Sequence, residues 1–168
     1  IPDIQNLALQ MLFENEYPGM SDLLIETYKN AHFGAVRMQA LMLLRYFNDQ
    51  NYYEVLKMGV SDPYELIRRM SVSFIGETGS DELIPALVSV QFEDAHSKRV
   101  LFNARGSAAF MNKEVLLEEI EKQYAASYLY HKEDLKDRIF SMANASVLAD
   151  LDIMQDVTQE DRHRLGEI

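Results

Sequence analysis

Four arginines each stand three residues before a small residue: Arg37 before Ala40, Arg68 before Ser71, Arg105 before Ala108 and Arg138 before Ser141. A ladder of guanidinium groups could bind a polyanion, because each offers five donors in a fixed fork suited to phosphate or carboxylate. The same spacing also has a structural use. Small residues let helices approach, and an arginine with its stem buried can tie down a loop carbonyl or an acid of the adjacent layer. Repetition favours the structural use, since stacking needs the device at every layer and a site needs it once.

Other residues capable of chemistry resolve in the same way. The turn "GETGSD" (76–81) has two glycines but no Gly-Lys-Ser/Thr and no preceding strand, so it reads as a helix-to-helix turn and not a phosphate loop. His32, His96, His131 and His163 are scattered, with no His-Glu-x-x-His and no i,i+4 pair to seat a metal. There is no cysteine, which excludes thiolate metal sites, redox dithiols and a cysteine nucleophile. Glu118, Glu119 and Glu121 could form an acid/base pair, yet an acidic run on a helix is usually a solvated face. No catalytic residue, cofactor or metal is assigned.

Charge narrows the partners. Against 16 Lys and Arg stand 27 Asp and Glu, a net charge of −11. That balance opposes binding to nucleic acid or anionic lipid, whose affinity comes from basic residues displacing counterions. No apolar run approaches the ~20 residues that span a bilayer, so neither nucleic acid nor membrane is expected as a partner, and the cytoplasm is the favoured compartment. The chain opens at Ile1 without an initiator methionine and is expected to be part of a longer polypeptide.

The elements that would carry these residues are helical throughout. No stretch alternates with period 2, and apolar residues recur at helical spacing. Val36, Ala40, Leu43, Leu44 and Phe47 fall on one side of a helix, and the shift that carries Val36 to Ile67 carries the others to Ser71, Phe74, Ile75 and Thr78. Tyr52, Tyr53, Val55 and Leu56 map at the same shift onto Leu83, Ile84, Ala86 and Leu87. A helix pair recurring at this period marks an α-solenoid, here of about five antiparallel pairs over roughly 3–30, 31–60, 61–91, 94–126 and 133–156, with a closing helix over 158–168. Asp62 and Pro63 should start one helix, Gly76 and Gly79 end it, and Pro85 should fit the first turn of the next. "NARGSAAFM" places Arg105 where Arg68 stood. The terminal pairs should present a polar outer face.

"IRRMSVSFIGETGSDELIPAL" (67–87) resembles a HEAT repeat, most closely the PBS-lyase HEAT-like subtype. The resemblance rests on Ile67, Arg68, Ser71, Val72, Phe74, Ile75, Gly76, Thr78, Gly79 and Ser80. "AVRMQALMLLRYFND" (35–49) matches the first half, with Arg45 where that pattern has Gly. It implies first helices outside and second helices lining a concave groove. It also implies a scaffold or adaptor function, with accessory domains of peptidases or tetrapyrrole lyases and DNA glycosylases as the family's less common uses.

The expected function is therefore a non-catalytic protein-interaction or scaffolding module, the alternative being an accessory helical domain of an enzyme. From 113 to 168 there are seven basic and thirteen acidic residues, which concentrates the acidity there. With Leu116, Ile120 and Tyr124 marking the buried side, Glu114, Glu118, Glu121 and Lys122 are left to solvent, where a basic protein or peptide would be attracted. Tyr53 and Tyr128 are candidate interface anchors. Arg69, whose counterpart in the preceding repeat is Met38, is the charge that stacking leaves unused.

Overall fold

Each helix begins and ends where local chemistry satisfies its unpaired backbone groups. Pro2 occupies the first turn of α1 (Pro2–Glu14), where a missing N–H costs nothing. The Asp49 carboxylate accepts from Tyr52 N at 3.0 Å and caps α4 (Gln50–Gly59). Ser97 caps α7 (Lys98–Ala108) through Val100 N, and the Asn112 side-chain oxygen accepts from Glu114 N and Val115 N at the start of α8 (residues 113–126). Between these lie α2 (Met20–Asn30), α3 (Gly34–Phe47), α5 (Glu65–Thr78) and α6 (Ile84–Ser89), the last preceded by a 3-10 turn at Asp81–Leu83. Pro85 sits in the first turn of α6, as the sequence predicts.

The computed structural model describes residues 1–92 and 97–126, and every regular element among them is helical. Tyr128, Arg138, Ser141, the pair expected over 133–156 and the closing helix over 158–168 lie outside the described residues. The chain divides into two compact units, Ile1–Ser71 and Val72–Ile168, with the boundary inside α5. In the first, α3 is the central element, packed by α1, α2 and α4. Leu24, Val36, Ala40, Leu41, Leu44, Tyr52, Val55, Leu56 and Ile67 are fully or almost fully buried there. In the second, α6 packs on its leading 3-10 turn and on α7, and Val72, Ile75, Leu83, Ile84, Leu87, Val100 and Ile120 are buried.

Three features differ from the sequence reading. First, α3, α5 and α7 begin at Gly34, Glu65 and Lys98, so the second interval is longer than the first. The buried sets follow this spacing: Val36, Ala40, Leu43 and Leu44, then Ile67, Ser71, Phe74 and Ile75, then Val100, Ala104, Ser107 and Ala108. The residue equivalent to Arg68 is therefore Leu101, and Arg105 lies one helical turn further on, exposed. Ala104 and Ala108 are both small and lie one turn apart, so sequence spacing alone allows either register.

Second, Gly76 is not in a turn. It lies inside α5, and a Cβ there would come within 2.6 Å of Ser107 Oγ and 2.9 Å of Ser107 Cα. Its absent side chain permits close approach of α5 and α7, and only Gly79, at φ +60°, reverses the chain.

Third, the outer side of α1 is apolar. Ile4, Ala8, Met11 and Leu12 have the same mutual spacing as the buried Val36, Ala40, Leu43 and Leu44 of α3. Yet Ile4 and Met11 are 63% and 55% exposed, and Leu7 beside them is 61% exposed. This helix carries an interior residue set where a polar cap was expected.

Candidate functional site

The surroundings of the arginines decide their role. The Arg37 guanidinium donates from Nε to Asp62 Oδ2 and from Nη2 to Asp62 Oδ1, both at 2.8 Å, a bidentate fork. Its Nη1 donates to the carbonyls of Ala31 and His32. Asp62 also accepts from Tyr28 OH and from Tyr64 N, each at 2.8 Å. The first carbonyl to accept within α5 is that of Tyr64, from Ile67 N and Arg68 N, so α5 begins at Glu65, two residues later than Pro63 suggests. Arg68 repeats half of the pattern, donating from Nη1 to the carbonyls of Asp62 and Pro63, the repeat equivalents of Ala31 and His32. These donors are spent on the protein's own loops. Arg37 and Arg68 are ties, and no anion ladder exists on them.

The electrostatics of this cluster predict a stability window. Burial alone would raise the pKa of Asp62, but hydrogen bonds from Arg37, Tyr64 N–H and Tyr28, with the Arg37 charge, outweigh it and hold the carboxyl below its usual range. Burial, then the hydrogen bond and charge of Asp62, push the Tyr28 hydroxyl well above its ordinary value. The Arg37 guanidinium is also raised, chiefly by its hydrogen bond to Asp62.

Asp62 contributes stability that is present above its unfolded pKa of ~3.9 and is lost as pH falls through its lower folded value. Tyr28 contributes stability that is full below ~10 and is lost as pH rises beyond it, because the unfolded phenol ionises first. Urea unfolding at pH 8 and pH 10.5 should therefore show a stability loss in the wild type that Tyr28→Phe reduces. Equal slopes in the two proteins would remove Tyr28 from the cluster.

The expected partner-binding residues are dispersed. Tyr53 is half-buried on α4, its ring 6.2 Å from Tyr52 and tilted. Arg69 is half-buried on α5 and already engaged within the chain, so it is not the uncommitted charge the sequence suggests. On α8, Leu116, Ile120 and Tyr124 are buried, and Glu114, Glu118 and Lys122 are exposed. Glu121, on the same helix, is half-buried and engaged within the chain. Gln123 donates to the Pro85 carbonyl at 3.0 Å and to Glu119, fixing α8 against the start of α6. Glu114 and Glu118, one turn apart, remain as an open acidic pair.

A surface that sequence reasoning passed over lies along α7 and the turn that follows it. Phe102 on α7 and Phe110, two residues past its end, are 68% and 75% exposed, with Gly106 midway between them in the sequence. Across from them stand Ser73, Gly76 and Glu77 of α5, and together these residues line a cleft of about 440 Å³. Its floor is held by Asn103, which donates to Ser73 Oγ at 3.1 Å, and by Ser107, which donates to the Val72 carbonyl at 2.6 Å.

A Cβ at Gly106 would meet nothing within 4 Å, and no positive φ requires glycine there. Glycine inside a helix costs about 1 kcal/mol relative to alanine, and packing among the described residues does not explain it. The signal available in the sequence is the run Phe102-x3-Gly106-x3-Phe110, which anchoring the repeat on Arg105 hides.

Among the described residues no group of three histidines, aspartates or glutamates is placed to hold a metal ion. No described helix is long and apolar enough to cross a membrane. No protein-family model, curated protein or solved structure matches the chain.

Proposed function

We propose that the chain is a non-catalytic protein-interaction or scaffolding module of the HEAT-like α-solenoid kind, whose stacked helix pairs hold a protein or peptide partner. The observation that carries this reading is the α7 cleft, where two largely exposed phenylalanines flank a glycine that packing among the described residues does not use. Exposed aromatic residues beside a concavity are the usual anchors of a protein interface.

The recurrence of the buried sets in α3, α5 and α7, with Arg37 and Arg68 bonded to equivalent carbonyls, supports stacking of like units. The net charge of −11 and the open Glu114–Glu118 pair favour a basic partner.

The test compares partners crosslinked in host cells by the wild type, by Phe102→Ser/Phe110→Ser, by Gly106→Leu and by Glu114→Lys/Glu118→Lys. All four proteins should show the same helicity by circular dichroism. Loss of one common partner with the first two variants, and its weakening with the third, is the expected result. Recovery of an unchanged partner set by all three variants would overturn the assignment of these surfaces.

A further inference from the structure

A second concavity lies wholly within the first unit, at the junction of α1 and α2. Phe13, Tyr17, Met20 and Phe47 supply its apolar and aromatic wall, Glu14 and Glu16 supply its acidic residues, and its volume is about 440 Å³. The Phe13 and Phe47 rings meet edge to face with centroids 5.9 Å apart. Tyr17 and Phe47 are 46% and 40% exposed.

The loop that forms one side of the cavity is rigidly specified. Glu16 N donates to the Phe13 carbonyl and Tyr17 N to the Leu12 carbonyl, the paired bonds of a Schellman ending on α1. In that motif the residue after the cap takes a left-handed backbone, a position glycine usually fills. Here it is Glu16, at φ 51°. The Glu14 carboxylate accepts from Gln10 at 2.8 Å, and the Glu16 carboxylate is exposed with no partner among the described residues.

Aromatic rings attract a cation through their negative faces, and carboxylates beside them add charge attraction while the rings solvate an alkyl stem. We propose that this cavity is a receptor for an alkylammonium group, such as the end of a lysine side chain on a basic partner. The identity of the occupant follows from charge complementarity: two carboxylates border the cavity, none of the described residues lining it is basic, and the whole chain is strongly acidic. The proposal rests on the reading that the partner is basic and names where its cation is held. The cavity itself can be tested without that partner.

Choline and its neutral isostere 3,3-dimethyl-1-butanol have the same shape and differ in charge. Titrating each into the purified chain, with the Met20 methyl and the Phe13, Tyr17 and Phe47 ring resonances followed by NMR, should give saturable shifts for choline. Its affinity should exceed that of the isostere by a few-fold to about 30-fold, the range expected of a cation–π contact. Glu16→Gly should weaken choline binding while raising the melting temperature, because it removes the charge and relieves the left-handed backbone together. Tyr17→Leu should reduce the preference for choline over the isostere. Equal affinities for the two probes, or saturation by neither, would overturn the proposal. The crosslinking of partners through Phe102 and Phe110 would be unaffected by that result.

Discussion

Asp62→Asn is expected to lower the melting temperature by roughly 6–20 °C, the largest effect of any single polar substitution in the first unit. The Asp62 side chain is 3% exposed and that of Arg37 only 13%, so little solvent is available to replace what is lost. The substitution removes the charge that matches the Arg37 fork and takes an acceptor from Tyr28 or Tyr64.

Removing one partner of a buried pair costs about 3–5 kcal/mol, chiefly because the other charge is left uncompensated. For a chain of this size each kcal/mol shifts the melting temperature by ~2–4 °C. Replacing the whole cluster with apolar residues, as Tyr28→Phe/Arg37→Met/Asp62→Leu, should recover part of the loss, since it removes the uncompensated charge but leaves Tyr64 N–H and the Ala31 and His32 carbonyls without their side-chain partners. Melting curves followed by far-ultraviolet circular dichroism separate the two cases. A single variant that melts with the wild type would show that the pair is screened by water.

The second large effect concerns glycine, and its sign reverses between two helices. Gly76→Ala places a Cβ within 2.9 Å of the Ser107 backbone, which cannot rotate away. Overpacking of this kind costs about 1–3 kcal/mol, more than the ~1 kcal/mol that alanine gains in a helix. Gly106→Ala meets open space and should stabilise by about 0.5–1 kcal/mol. Urea midpoints of the two variants, taken at constant m-value, should therefore move in opposite directions. If both moved upward, α5 and α7 would be further apart than the Gly76–Ser107 contact requires.

These residues also show what the sequence could reveal. The helical class and the device by which Arg37 and Arg68 bind loop carbonyls were legible because both depend on short-range spacing that repeats. The register of α7 was not. The residues that lengthen its interval fall in a connection with no periodicity, and two alanines one turn apart satisfy either alignment.

Gly76 was misread because a glycine's sequence context does not distinguish a turn from a close helix crossing. That distinction comes from Ser107, on a different helix. The apolar side of α1 was hidden by its own normality: Ile4, Ala8, Met11 and Leu12 are the residues an interior helix carries, and their exposure depends on what lies beside them. Of the candidate site residues, the outward direction of Glu114 and Glu118 was legible from helical period. The aromatic cleft left only the run Phe102-x3-Gly106-x3-Phe110, whose partners Ser73, Gly76 and Glu77 lie on another helix, and the Glu16 turn had no signal because a glutamate fills the position that glycine usually marks.

Asp62 is held at both ends of its chemistry, its side chain by Arg37 and its main-chain carbonyl by Arg68. The distance along the polypeptide between the two arginines is thereby fixed, and the connection from α4 to α5 can neither gain nor lose a residue without breaking one bond set or the other. Where Leu101 replaces the second arginine that constraint lapses, and it is there that the interval between successive helix starts lengthens. Natural length variation in relatives of this chain should accordingly be absent from the α4–α5 connection and collect immediately before α7.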